Sequence, residues 1–148
     1  MDKQIIKNII IEKQVAIPNY KLIHRDFLFG DKSNYILVGL RRAGKSYLLY
    51  QDIQTRLQKG EQSAQDILYI NFEDERLSSL KAEELGIILD SYMELYPGKQ
   101  PLIYLDEIQN VEGWEKFARR LADSQYRVMI TGSNAKMLGK EMYSTLGG

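Results

Sequence analysis

The stretch that most restricts the possible folds of this chain is the octapeptide GLRRAGKS at residues 39–46. It follows a short apolar run, residues 35–38, and precedes a segment in which Leu49, Ile53 and Leu57 recur at helical spacing. The spacing G-x-x-x-x-G-K-[ST] between a buried strand and a helix is typical of a phosphate-binding loop. The glycines let successive N–H groups point at phosphate oxygens, beside the positive end of the helix dipole. This context predicts an α/β fold with a phosphate ligand at the loop.

The loop residues have distinct expected roles. Lys45 is expected to reach the β- and γ-phosphates of a nucleotide, and the Ser46 hydroxyl to bind Mg²⁺. The alternative, a chance glycine turn followed by a surface lysine, fits the flanking elements poorly. The residues expected to contact the nucleotide are Gly39, Leu40, Arg41, Arg42, Ala43, Gly44, Lys45, Ser46 and Tyr47.

A second motif, LIYLDE at residues 102–107, is an apolar strand that ends in two carboxylates. Ligands of parallel sheets gather at the carboxyl ends of the strands. Because successive strand residues point in opposite directions, we expect different roles: Asp106 for the magnesium, through water or Ser46, and Glu107 for the attacking water. The alternative is a pair that caps a helix or forms salt bridges.

A third strand, residues 127–131, is followed by Gly132, Ser133 and Asn134. Ser133 and Asn134 are expected to hydrogen-bond the γ-phosphate or the water near Glu107. Alternatively, one of them caps the helix predicted to follow.

The rest of the pattern predicts packing elements. A first helix should end before Pro18, a strand should cover residues 67–72 and the clearest helix should cover residues 85–96. Trp114 is expected to lie on a further helix and to pack in the protein core. Arg119 and Arg120 indicate a solvated face or a basic spot for a partner, and His24 a structural residue.

Composition excludes several classes of protein. The 148 residues fit one domain, and 20 basic residues balance 20 acidic ones, so no global charge attracts nucleic acid. The absence of cysteine excludes disulfides and thiolate metal sites. The charged start does not resemble a signal peptide, and no apolar run approaches the ~20 residues that cross a bilayer. We therefore expect a soluble, cytoplasmic protein without a membrane partner.

The four motifs, in the order GLRRAGKS, INFEDERL, LIYLDEIQNVEGWEKFARRL and VMITGSNAKML, resemble the ATPase core of AAA+ proteins. They are similar in particular to a bacterial and archaeal subgroup whose C-terminal domain is often described as nuclease-like. The resemblance runs from about Tyr20 onward. It implies a P-loop NTPase three-layer α/β/α fold with a mostly parallel sheet, strand order 5-1-4-3-2, and ATP and Mg²⁺ as cofactors.

The same resemblance assigns roles by motif. Residues 39–46 correspond to the Walker A element, Asp106 and Glu107 to Walker B, and Ser133 with Asn134 to the first sensor. It divides the chain into an N-terminal helix and connecting segment, residues 1–33, and an ATPase core, residues 34–148. The arginine finger, fifth strand and helical lid of the subgroup follow the last residue here, so the resemblance implies a truncated core. The uncovered strand edge favours self-association, and nucleic acid is expected to contact only the absent C-terminal part.

The function expected from these motifs is magnesium-dependent hydrolysis of ATP, with Glu107 positioning the water and with slow turnover by this chain alone. One alternative is a nucleotide-controlled switch or scaffold that rarely turns ATP over, although the carboxylate of Glu107 favours the enzyme. Another is a P-loop kinase, which usually lacks such an Asp-Glu pair and has its own basic lid.

Overall fold

The computed structural model describes residues 1–24, 34–39 and 44–133. In this part of the chain, four strands form one parallel sheet with the order β1-β4-β3-β2. The strands are β1 (Tyr35–Gly39), β2 (Ile67–Asn71), β3 (Leu102–Asp106) and β4 (Arg127–Ser133). The α-helices are α1 (Lys3–Ala16), α2 (Lys45–Gln58), α3 (Gly86–Leu95) and α4 (Glu115–Asp123). The predicted α/β fold and the order of these four strands are confirmed.

Local sequence explains where the helices begin and end. The Asp2 side chain caps α1 by accepting from the Gln4 N–H at 2.8 Å. The helix ends at Ala16, before Pro18 as predicted, and a short 3₁₀ turn, Ile17–Asn19, follows it. Gly60, with φ of 74°, follows the end of α2.

Side chains alternate between the two faces of the sheet, and each face is covered by helices. On one face lies the aliphatic layer, which α1, α3 and α4 complete. Its sheet and helix residues include Ile6, Leu68, Ile70, Ile88, Ile103, Leu105, Trp114, Phe117, Val128 and Ile130. On the other face, below α2, lies the tyrosine layer. Its buried members are Ile17, Leu49, Ile53, Ile67, Tyr69, Tyr104 and Met129.

The two outer strands of the described sheet differ in their surroundings. Helix α1 packs against β2 and α3. Gln14 fixes this contact, because its amide donates to the Ile67 carbonyl at 2.9 Å and accepts from the Tyr96 hydroxyl at 2.7 Å. Among the described strands, β1 pairs with β4 alone.

Trp114 is buried in the aliphatic layer, as predicted, and Arg119 and Arg120 are exposed. His24 is exposed as well, and its structural role stays a prediction. Within the described ranges, no helix has the length and apolar character needed to cross a membrane.

Candidate functional site

The loop at residues 39–46 connects the carboxyl end of β1 to the amino end of α2. Gly39 is the last residue of β1, and Gly44 directly precedes α2 with φ of 91°. That left-handed conformation favours glycine, which explains the second glycine of the motif. Leu40, Arg41, Arg42 and Ala43, predicted to bind nucleotide, lie outside the described residues.

Lys45 is the first residue of α2, and its side chain extends back to the end of β1. Its ammonium group donates to the Gly39 carbonyl at 3.2 Å, and the residue is 8% exposed. The cation therefore lies beside the N-terminus of a helix, where backbone N–H groups and the helix dipole attract anions.

A cavity of about 320 Å³ lies at the start of α2. Lys45, Ser46, Tyr47 and Glu107 line it together with Gly44 and Tyr50. Residues from the first and second sequence motifs, about sixty positions apart in the chain, thus face one space. The volume is within the range of small-ligand pockets.

Asp106 ends β3 and is fully buried. The Tyr69 hydroxyl donates to its Oδ2 atom, and the Thr131 hydroxyl donates to its Oδ1 atom. Burial, reinforced by the nearby Asp106 charge, raises the pKa of Tyr69 well above its ordinary value, so the phenol keeps its proton. These two bonds use two of the roughly four acceptor positions of the carboxylate, which leaves capacity for a further donor.

Glu107 follows Asp106 in a left-handed conformation, with φ of 54° and ψ of 45°, and is 4% exposed. Its N–H donates to Thr131 Oγ1 at 2.9 Å, and its carbonyl accepts from the Asn110 side chain at 2.9 Å. Its carboxylate accepts from Gln109 Nε2 at 2.6 Å. Strand alternation, which gave the expectation of opposite directions for the two carboxylates, therefore ends at Asp106. Glu107 has left the strand conformation and lines the cavity with Lys45.

Ser133, the last residue of β4, pairs in register with Gly39 of β1. It therefore lies at the level where the loop begins. Asn134, its predicted companion, lies outside the described residues, as does the helix expected after it.

The side-chain atoms at this site that could bind a metal ion are oxygens. Among the described residues, no group of three or more His, Cys, Asp or Glu side chains could enclose a metal ion. Mg²⁺ is commonly bound by one or two carboxylates together with water and substrate phosphates, so it does not need such a cage. Of the two predicted magnesium ligands, Ser46 lines the cavity, whereas Asp106 does not line it and accepts from Tyr69 and Thr131 through its two carboxylate oxygens.

Sequence reasoning missed the hydroxyl groups around the carboxylates. Since Tyr69 gives its single proton to Asp106, the Tyr50 hydroxyl must donate to Tyr69, at 3.2 Å. Tyr50 also stacks edge-on against Tyr20, with ring centroids 4.9 Å apart. No local signal marked them, because Tyr69 is the central residue of β2 and Thr131 lies in β4, the two strands that flank β3.

Two relatives are similar to this chain in sequence. An uncharacterized protein from Methanocaldococcus jannaschii is 38% identical over 151 residues, which cover 100% of this chain and 32% of the relative. An uncharacterized protein from Haemophilus influenzae is 38% identical over 117 residues, which cover 76% of this chain and 28% of the relative. The chain thus spans about a third of the length of these relatives. The nuclease-like C-terminal domain that the resemblance implies stays a prediction.

The model of one protein family, described as AAA domain, matches residues 31–148 of this chain. The match begins just before β1 and includes every residue of the site described above. The chain therefore belongs to the AAA domain family, which indicates a nucleotide-binding domain of the ATPase type.

Proposed function

We propose that this domain binds ATP with Mg²⁺ and hydrolyses the bond between the β- and γ-phosphates. The observation that supports this proposal most directly is the cavity that Lys45, Ser46 and Glu107 line together. A phosphate-binding cation, a hydroxyl ligand and a carboxylate near the expected position of the γ-phosphate are the parts that this reaction needs.

Each side chain has a role consistent with its surroundings. Lys45 would exchange its bond to the Gly39 carbonyl for bonds to the β- and γ-phosphates. Ser46 would hold the magnesium, and Asp106 would act on it through water or Ser46. The bound cation spreads the negative charge that develops on the phosphate oxygens. Glu107, held by Gln109 and Thr131, orients the water for in-line attack. Ser133, with Asn134, hydrogen-bonds the γ-phosphate or this water.

Self-association and slow turnover belong to the same proposal. The β1 edge, uncovered by any other described strand, would pair with a second copy or a further strand. An arginine supplied at the γ-phosphate is worth about 10³ to 10⁵ in rate where it has been measured. Without one, the domain would bind ATP well and hydrolyse it slowly.

Titration calorimetry with a non-hydrolysable ATP analogue and Mg²⁺ tests the proposal. Lys45→Ala should weaken binding about 10- to 100-fold, since a hydrogen bond to a charged group contributes about 1.5–3 kcal/mol. Lys59→Ala is the matched control, because Lys59 is an exposed lysine at the opposite end of α2. Equal affinity in both variants would contradict the phosphate-loop assignment. Binding without any turnover of ATP would favour the nucleotide-controlled switch.

A further inference from the structure

Thr131 contacts both carboxylate residues of the site through a single hydroxyl group. The residue is fully buried in β4, two positions before Ser133. Its Oγ1 atom donates to Asp106 Oδ1 and accepts from the Glu107 N–H at 2.9 Å. The direction of both bonds is fixed, since a backbone N–H only donates and an ionised carboxylate only accepts.

The position of Thr131 in the sheet explains why a side chain makes these bonds. The parallel pairing of β3 with β4 ends at Leu105 and Ile130. On its other side, β4 continues to pair with β1, with Thr131 opposite Leu37. Where β3 and β4 separate, the Thr131 hydroxyl takes the next N–H of the chain after β3, that of Glu107.

The Glu107 backbone depends on such support. A left-handed conformation is unfavourable for a residue with a side chain and persists where the surroundings hold it. Thr131 holds the N–H of Glu107, Asn110 holds its carbonyl, and Gln109 holds its carboxylate. Of these three groups, Thr131 alone also bonds to Asp106.

We propose that Thr131 is a positioning residue that fixes the Asp106 carboxylate relative to the backbone of Glu107, from which the Glu107 carboxylate extends. The inference rests on the proposed function, in which Asp106 holds the magnesium and Glu107 orients the water. Thr131 does not line the cavity itself. It determines the positions of Asp106 and Glu107, which act on different parts of the reaction.

The test compares Thr131→Val, which keeps the shape of the side chain and removes the hydroxyl, with Thr131→Ser, which keeps the hydroxyl. The first readout is the affinity for a fluorescent non-hydrolysable ATP analogue, measured with Mg²⁺ and with EDTA. In Thr131→Val, the gain in affinity that Mg²⁺ gives to the wild type should be largely lost. Affinity measured in EDTA should stay within about threefold of the wild type, because the direct contacts of the site with the nucleotide are intact. Loss of a supporting hydrogen bond behind a metal ligand typically costs about 10- to 100-fold.

The second readout is steady-state hydrolysis of ATP. Thr131→Val should lower kcat by about 10- to 100-fold with little change in KM, because the residue acts through groups used in the reaction itself. Thr131→Ser should restore both readouts. If the valine variant does not fold, Thr131→Ala removes the same hydroxyl without placing a methyl group against Asp106.

The outcomes separate the two proposals. A wild type that binds no nucleotide overturns the proposed function and the role of Thr131 with it. A wild type that binds Mg²⁺–nucleotide, with a valine variant that behaves identically, overturns the role of Thr131 alone. Equal losses in the serine and valine variants would show that the hydroxyl alone does not restore the site, would assign the effect to altered packing around the side chain, and would also overturn the proposal.

Discussion

The two layers that cover the sheet differ in chemistry although the same four strands supply both. The aliphatic layer consists almost entirely of hydrocarbon side chains from α1, α3, α4 and the strands. The tyrosine layer contains tyrosine hydroxyls, and buried charged or polar groups lie among them: Asp52, Arg56, Asp106 and Thr131. Burial of a polar group is unfavourable unless the group is hydrogen-bonded. Covering the sheet with the tyrosine layer therefore gains less stability than covering it with the aliphatic layer.

The buried polar groups of the tyrosine layer are hydrogen-bonded to one another. Asp52 accepts from the Arg56 guanidinium at 2.9 Å and from the Tyr104 hydroxyl at 2.7 Å. Asp106 is paired with Tyr69 and Thr131. The cavity opens on this side of the sheet, at the start of α2. The difference teaches that one layer supplies stability, whereas the other gives up some of it to hold carboxylates at a site.

The largest expected effect tests the proposed chemistry of the tyrosine side. Glu107→Gln keeps the size of the side chain but removes the carboxylate that would orient the water. Turnover should fall by about 10²- to 10⁴-fold, the usual contribution of a positioned acid or base. Affinity for the ATP analogue and the unfolding midpoint should change little. Hydrolysis at the wild-type rate, measured by phosphate release, would remove Glu107 from the mechanism.

The next effect should appear in stability and come from the aliphatic layer. Ile103, in the centre of β3, is 1% exposed, and Ile103→Ala leaves a cavity there. The expected loss is about 2–5 kcal/mol in the free energy of unfolding, measured with urea. At temperatures where the variant stays folded, nucleotide affinity should match the wild type. A weakened affinity would show that the two layers are less independent than this comparison holds.

The adjacent residue gives the matched experiment on the other face. Tyr104→Phe removes the hydroxyl that bonds Asp52 and leaves the ring in place. Because Arg56 still pairs with Asp52, we expect a loss near the lower end of the usual range, about 1.5 kcal/mol, for a hydrogen bond to a charged group. A loss as large as that of Ile103→Ala would show that the polar groups stabilise the fold as strongly as the hydrocarbon ones.

The same variant has a predicted dependence on pH. Burial raises the pKa of Tyr104 well above its ordinary value in the folded protein. The stability linked to its neutral form is therefore complete below the ordinary pKa, about 10, and is lost as pH rises past it. Wild type should lose stability above pH 10 more steeply than Tyr104→Phe.

The fold could be predicted from the sequence more completely than the site. The strand at residues 35–38 and the helix after it follow from apolar runs, spacing and glycine punctuation, and the structure places them within one or two residues. The partners of Asp106 could not be predicted, because Tyr69 and Thr131 come from two other strands and meet it only through the sheet register. The left-handed backbone of Glu107 also has no local sequence signal, since glycine is the residue that usually marks such a position.

The smallest expected effect lies outside both layers, where α1 meets α3 on the surface. Lys3 and Lys7 donate to the two oxygens of Glu94 at 2.6 and 2.8 Å, and these bonds lower the pKa of Glu94 from 4.5 to about 2. A carboxylate with a lowered pKa in the folded state adds stability above its unfolded pKa, and that stability is lost as pH falls from 4.5 toward 2. Glu94→Gln should therefore unfold at slightly higher pH in an acid titration than the wild type, and Glu61→Gln, an exposed carboxylate after α2, should not. Because the pair is exposed, added salt should reduce the difference. A shift that persists in 1 M salt would mean that the α1–α3 contact depends on Glu94 through packing, and that the aliphatic layer extends further toward the surface than its buried side chains indicate.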